Sequence, residues 1–269
     1  MGNNEKVAVA EEEKKSVNEV VEVAIETSYV DNDDWATYRD DEVMQQHNAI
    51  QAEEAHKLPF VGDKEPLSAL AAEYQSGSPI IQEKIKLLGQ SFSAIRRTRG
   101  DGNCFFRCFM FAYLLFLEQL ESVMQGNETS ISHDELLTRS RDQSVSDYVV
   151  MFFRFVTSGE VRRRAEFFEP FILGLSNMTV EKFCKASVEP MGEESDHVHI
   201  TALSDALGVA IRVMYLDRSS CDTGSVSVNH HDFVPSISDS PNGTTNAVAA
   251  KPVMTLLYRP GHYDILYSK

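Results

Sequence analysis

Two short motifs in this sequence hold side chains that could do covalent chemistry together. The first is Gly100-Asp101-Gly102-Asn103-Cys104-Phe105-Phe106-Arg107. Its two glycines let the backbone turn sharply and come close to another molecule. Cys104 then falls at the first turn of a long apolar run that reads as a helix. Unpaired N–H groups and the positive end of the helix dipole favour an anion there, and the thiolate is the reactive form of a cysteine. The N–H groups of residues 101–104 would also suit a developing oxyanion. The second motif is Pro260-Gly261-His262-Tyr263-Asp264-Ile265-Leu266-Tyr267. Pro-Gly makes a turn and His262 opens a strand, where residues two apart face the same side. His262 and Asp264 therefore point together, away from Tyr263 and Ile265. A thiol nucleophile needs an imidazole to carry its proton and a third group to orient that imidazole. Asp264 is spaced to be that group.

Each motif also has a plainer reading. Gly-Asp-Gly-Asn can be a surface turn before a buried cysteine, and His262 with Asp264 can be an exposed pair at a hairpin. Cys108, one turn further along the same apolar helix and without a special loop, reads as core. His197 and His199 form a His-x-His pair near Glu193, Glu194 and Asp196, a spacing that zinc can use. Asp196 fits equally well as a helix cap, and no further ligand cluster accompanies the pair. His230-His231-Asp232 lies in a polar stretch and reads as surface. No P-loop, dinucleotide glycine fingerprint or Gly-x-Ser-x-Gly elbow is present.

The composition narrows the setting. The chain has 269 residues, 42% of them hydrophobic, and four cysteines with no CxxC pair. That suits one sizeable core without a disulfide framework. The formal charge is −16, and residues 1–65 carry 17 acidic against 6 basic side chains. A basic nucleic-acid footprint is absent. No apolar run reaches the ~20 residues that span a bilayer, and the polar start is not a secretory signal. The expectation is a soluble protein of the cytoplasm, with the nucleus also open to it, and with no nucleic-acid or membrane partner.

Residues 1–57 read as an acidic tail too poor in apolar side chains to order itself, with Val17–Ile25 able to form a short helix on a partner. Residues 58–269 read as the folded domain, entered through a strap over 57–63. Helical spacing is expected over Leu67–Tyr74, with a stop at Gly77, and from Ser78-Pro79 to about Gly89. A loop over 96–103 leads into the long helix, about Cys104 to Met124. Asp142 starts a helix that Gly159 stops. Further helices are expected over Arg162–Phe171 and Thr179–Ser187, and one from an Asp196 cap to Leu207, ended by Gly208. Ala210–Leu216 reads as a strand, 217–250 as loop, and Val253–Tyr258 with Tyr263–Tyr267 as a hairpin. Many helices with a small, late, antiparallel sheet make an α+β domain.

Asp101-Gly102-Asn103-Cys104-Phe105-Phe106-Arg107 together with Gly261-His262-Tyr263-Asp264-Ile265-Leu266-Tyr267 resembles the otubains, a branch of the ovarian-tumour (OTU) deubiquitinases, and most of all the plant members. Asp142 to Tyr148, Phe167 to Ile172, and Val188 to Met191 through Ser195 to Ile200 extend the likeness over about Pro59 to Lys269. The resemblance implies a papain-like α+β domain that hydrolyses isopeptide bonds at the C-terminus of ubiquitin. It places the nucleophile on Cys104, the base on His262, the orienting acid on Asp264, and a residue that shapes the oxyanion hole on Asp101. It implies no metal or other cofactor. The implied partners are ubiquitin and polyubiquitin, with a ubiquitin-conjugating enzyme as a further candidate. One departure stands out. Otubains follow the nucleophile helix with a long helical excursion, whereas here Phe109 to Tyr113 runs directly into Leu114-Leu115-Phe116. A chain shortened in this way has an alternative reading as a module that binds ubiquitin or a conjugating enzyme without cutting.

Overall fold

The central strand of the sheet, His262–Ser268, shows how the sequence builds this fold. Four consecutive residues, Tyr263 to Leu266, are buried, which requires layers on both faces. Tyr263 and Ile265 join the core packed on the long helix, while Leu266 joins a second core on the opposite face. The computed structural model describes residues 58–125, 131–219, 226–236 and 251–269. The expected acidic tail, its Val17–Ile25 helix, Cys221 and residues 237–250 lie outside the described residues.

The described strands are β1 (Val61–Pro66), β2 (Phe92–Thr98), β3 (Ile211–Tyr215), β4 (His230–Phe233), β5 (Met254–Arg259) and β6 (His262–Ser268). They form one sheet in the order β1-β2-β6-β5-β3-β4. All neighbours are antiparallel except β3 and β5. The helices are α1 (Ser68–Glu73), α2 (Pro79–Ser91), α3 (Cys104–Gln125), α4 (His133–Arg141), α5 (Gln143–Arg163), α6 (Ala165–Ser176), α7 (Val180–Phe183, running into a π-helical turn, Cys184–Val188) and α8 (His197–Leu207). Helices α1 and α2 supply Leu70, Ile81, Ile85 and Leu88 to one face of the sheet. Helices α3, α5 and α8 cover the other with Phe105, Phe109, Phe153 and Leu203. No helix among the described residues is long and apolar enough to cross a membrane.

The α+β class is as expected, but the sheet is larger than a late antiparallel one. It is mixed, and it recruits two early strands. Strand β2 occupies part of the segment expected as a loop. Arg96 and Arg97 made that segment look solvated, yet Arg96 is buried. Its guanidinium lies 4.5 Å over the Phe111 ring and donates to Gly62 O (2.6 Å) and Tyr267 Oη (2.9 Å). A buried charge is tolerated when its donors are satisfied this way. Strand β4 is polar because it is an edge, pinned by Arg212 donating to Asp232 from β3. Helix α5 runs through Gly159 to Arg163, since packing of Thr157, Ser158 and Val161 outweighs the ~1 kcal/mol that a helical glycine costs. The next helix accordingly begins at Ala165. Helix α8 is capped by Asp196 and ends on Gly208 at φ 67°, as its sequence indicates.

Helix α3 carries the strongest contrast in burial. Every residue from Phe105 to Ala112 is buried, Tyr113 to Glu118 are half-buried, and Val123 and Met124 are exposed. Phe109 anchors the buried part, stacking on Tyr113 and meeting Phe153 of α5 edge-on. The start of the helix is thus fixed in the core while its far end is not.

Candidate active site

The loop between β2 and α3 brings Cys104 to the rim of the sheet. Asn103 occupies the cap position, its carbonyl accepting from Arg107 N (2.9 Å). Ahead of it, Asp101 folds the loop on itself. One carboxylate oxygen accepts from Asn103 N (3.0 Å), and the other accepts from Arg107 Nε (2.9 Å) and Nη2 (2.6 Å). Arg107 is buried and also donates to Ser146 Oγ and Asp147 Oδ1 on α5. The Asp101 carboxylate therefore holds the loop in shape and is not free to meet a substrate itself. The N–H groups of the first helical turn have no intrahelical acceptor, so they remain available beside the thiol.

Gly102 explains why the motif needs its second glycine. Its φ is +71°, and a Cβ there would lie 1.7 Å from Gly192 O. The loop rests flat against the segment that joins α7 to α8. Gly102→Ala is expected to lower the hydrolytic rate about a hundredfold or more, the value of one lost oxyanion donor. Its thermal stability should fall by more than the ~1–2 kcal/mol of a left-handed alanine alone. Steady-state hydrolysis and thermal melts of the variant check both.

His262 comes from the other direction, on β6 after the Gly261 turn (φ +75°). Its Nε2 lies 3.0 Å from Asp264 Oδ1, so Nδ1 is the nitrogen left for the thiol. Gly100 flanks that nitrogen: a Cβ built on it would be 3.7 Å from Nδ1. Burial pushes the imidazole's pKa down, but hydrogen bonds to Asp264 and Cys104 and the charges of both outweigh it and raise the group to about 9. Asp264 is fully buried. Burial alone would raise its carboxyl, yet the His262 hydrogen bond and the Arg259 charge hold it below the usual range. Thr98 N donates to Oδ1 (3.2 Å) and Arg259 Nη2 to Oδ2 (2.7 Å). Glu73 of α1 accepts from Arg259 in turn (2.9 Å).

The structure thus brings Cys104, His262 and Asp264 together and sets Asp101 behind the nucleophile loop. It keeps the other candidates apart. Cys108 is buried, donates its thiol to Tyr263 O (3.3 Å), and is pushed well above the ordinary thiol range by burial. His199 is a structural residue of the α8 capping box, with Nδ1 on Asp196 and Nε2 against Ser187 O. His197 faces Tyr215 Oη (3.0 Å). Sequence reasoning missed Thr98, Arg107, Arg154 and Arg259, all of which hold the site from behind. Arg107 had a signal, lying one helical turn after Cys104. The rest are joined only by the fold.

A thiol at a helix start, facing an imidazole oriented by a buried carboxylate, is the constellation of a cysteine-type hydrolase. The family model for Peptidase C65 Otubain matches residues 51–117 and 114–268. The chain belongs to the otubain family. It is 57% identical over 297 aligned positions to OVARIAN TUMOR DOMAIN-containing deubiquitinating enzyme 1 of Arabidopsis thaliana, covering 94% of each chain. It is 38% identical over 268 positions to Ubiquitin thioesterase OTUB1 of Homo sapiens, covering 85% of this chain and 90% of that one. A solved complex of h/ceOTUB1 with ubiquitin aldehyde and UBCH5B~Ub matches with a TM-score of 0.66 at 30% identity, over 87% of this chain and 99% of that one.

The two stretches of the family match overlap at 114–117, inside α3. The alignment to the Arabidopsis protein is also longer than this chain of 269 residues, so that relative has residues with no counterpart here. The overlap of the family match locates the shortening inside α3, which runs unbroken across it.

Proposed function

We propose that this chain is a thiol-dependent deubiquitinase that hydrolyses isopeptide bonds at the C-terminus of ubiquitin. The observation that carries the reading is the His262 imidazole, held between the buried Asp264 carboxylate and the Cys104 thiol in a member of the otubain family. The Cys104 thiolate attacks the carbonyl carbon of ubiquitin's terminal glycine, and the N–H groups of the nucleophile loop receive the oxyanion. His262 gives its proton to the leaving lysine amine as the C–N bond breaks, leaving a thioester. His262 then takes a proton from water as the water attacks the thioester, and the thiolate departs from the ubiquitin carboxylate. Asp264 orients the ring throughout, and Asp101 keeps the loop in register through Arg107.

Relatives named as ubiquitin thioesterases and a deubiquitinating enzyme support ubiquitin as the substrate. Solved complexes of h/ceOTUB1 with UBCH5B~Ub and UBC13~Ub support a charged ubiquitin-conjugating enzyme as a partner. The test is to mix the full chain with a ubiquitin bearing a C-terminal electrophile and weigh the intact product. An adduct of equal stoichiometry supports the enzyme. One observation favours the second reading, a binder without turnover: the shortening inside α3 leaves Leu120, Val123 and Met124 exposed. A folded protein that binds ubiquitin yet forms no adduct would establish that reading instead.

A further inference from the structure

Arg154 of α5 is fully buried, and no carboxylate among the described residues lies within ion-pair distance of it. All its acceptors are neutral oxygens. Nε and Nη2 donate to Asn103 Oδ1 (3.2 and 2.8 Å), and Nη2 also to Gly102 O (3.3 Å) and Glu193 O (2.7 Å). Nη1 donates to Val188 O (3.0 Å). The Phe106 ring supports the guanidinium from one side, 4.6 Å away. Burial lowers the guanidinium to about 10, with the charges of Glu193, Asp101 and Cys104 acting against the fall, so it is still a cation at neutral pH. A buried cation bound only to neutral groups is expensive for a fold. Apolar side chains would fill the same volume more favourably.

What the arrangement achieves is geometric. Asn103 Oδ1 also accepts from Gly192 N (2.9 Å), so one amide oxygen joins the nucleophile loop, α5 and the 188–193 segment. Gly102 and Gly192 touch backbone to backbone at the same place. The planar fork of Arg154 reaches both segments at once, which a lysine cannot do.

Resting on the proposed hydrolase, we infer that Arg154 and Asn103 are positioning residues that lock the oxyanion loop to the 188–193 segment and so set where its N–H groups point. They act through the loop and touch no reacting atom. Thiol nucleophilicity towards a saturated carbon needs no oxyanion hole, whereas acyl transfer does. The two chemistries therefore separate a positioning role from a merely structural one.

The experiment uses the full chain with Asn103→Ala and Arg154→Lys, each measured three ways. Hydrolysis of a fluorogenic ubiquitin C-terminal amide should lose roughly a hundredfold in kcat with KM little changed. Alkylation of Cys104 by iodoacetamide should proceed at nearly the wild-type rate. Amide hydrogen exchange should quicken in 100–103 and 188–193 together, with the sheet unaffected. Full kcat in Arg154→Lys, or parallel loss of alkylation and hydrolysis, would overturn the inference. So would exchange that rises in one segment alone. If wild type fails to cleave the ubiquitin amide, the hydrolase reading fails, and the paired exchange measurement still decides whether the two segments are locked.

Discussion

Cys104→Ala is expected to abolish turnover of ubiquitin substrates and all adduct formation with an electrophilic ubiquitin, while leaving the fold and ubiquitin binding in place. The loss should be on the order of 10⁴–10⁶ in kcat, the range for removing the nucleophile of a coupled catalytic unit. Among the described residues no second thiol is placed to substitute. Cys108 is the nearest in sequence, but its sulfur is enclosed by Thr98 and Tyr263 and is held in the neutral form by burial. Cys184 is also buried, with its thiol pushed up by the same cause. The substitution removes one sulfur from a position only 5% exposed, so thermal stability should change little. Intact mass after probe treatment and a melting curve check the two halves. An adduct on the alanine variant would place the nucleophile elsewhere and remove the mechanism.

Asp264→Asn is expected to cost about 10²–10⁴ in kcat/KM and to change the protonation of His262. The amide keeps the shape of the carboxyl but removes its charge and weakens its hydrogen bond, the two contributions by which Asp264 raises the ring. The downward push of burial then meets less resistance, and His262 falls from about 9 towards its ordinary value of 6.5. The imidazole becomes largely neutral near pH 7 and has no proton to give the leaving amine. The amide also cannot accept from Arg259, Thr98 and His262 together, as the carboxylate does. Stability should respond with a definite sign. In the wild type the raised His262 contributes stability that is fully present below about pH 6.5 and is lost as pH rises through about 9. The depressed Asp264 contributes stability present above its ordinary value of 3.8 and lost as pH falls through its folded value. The gap in melting temperature between wild type and Asp264→Asn should therefore be widest around neutral pH and narrow in both directions. A gap that does not vary with pH, or a His262 resonance that still titrates near 9 in the variant, contradicts this.

The residues proposed for the chemistry were the easiest part of the chain to single out, because the segments that carry them turn in ways that demand unusual local sequence. Gly102 and Gly261 both adopt positive φ, and they lead into Cys104 and His262. The α8 cap was equally legible, since Asp196 and Gly208 act through their own neighbours. What stayed hidden depends on residues far apart in the chain. Strand β2 is a strand because Arg96 finds Gly62 O and Tyr267, and β4 because Asp232 finds Arg212. Local pattern carries no trace of either partner. The same holds for the supports of the site. Thr98 reaches Asp264 across 166 positions, and Arg154 reaches Asn103 across 51.

The uneven burial of α3 gives one helix two very different lifetimes. At about 1.5 Å per residue its 22 residues span about 33 Å, and only the first nine, Cys104 to Ala112, are buried. The far turns, which end in the exposed Val123 and Met124, open at a lower free-energy cost than the turn that holds Cys104, which opens only when the sheet and α5 come apart with it. Breathing, nicking or chemical damage at the distal end is therefore insulated from the nucleophile. The thiol keeps its geometry until the whole domain is lost, so activity and global folding should vanish at one denaturant concentration.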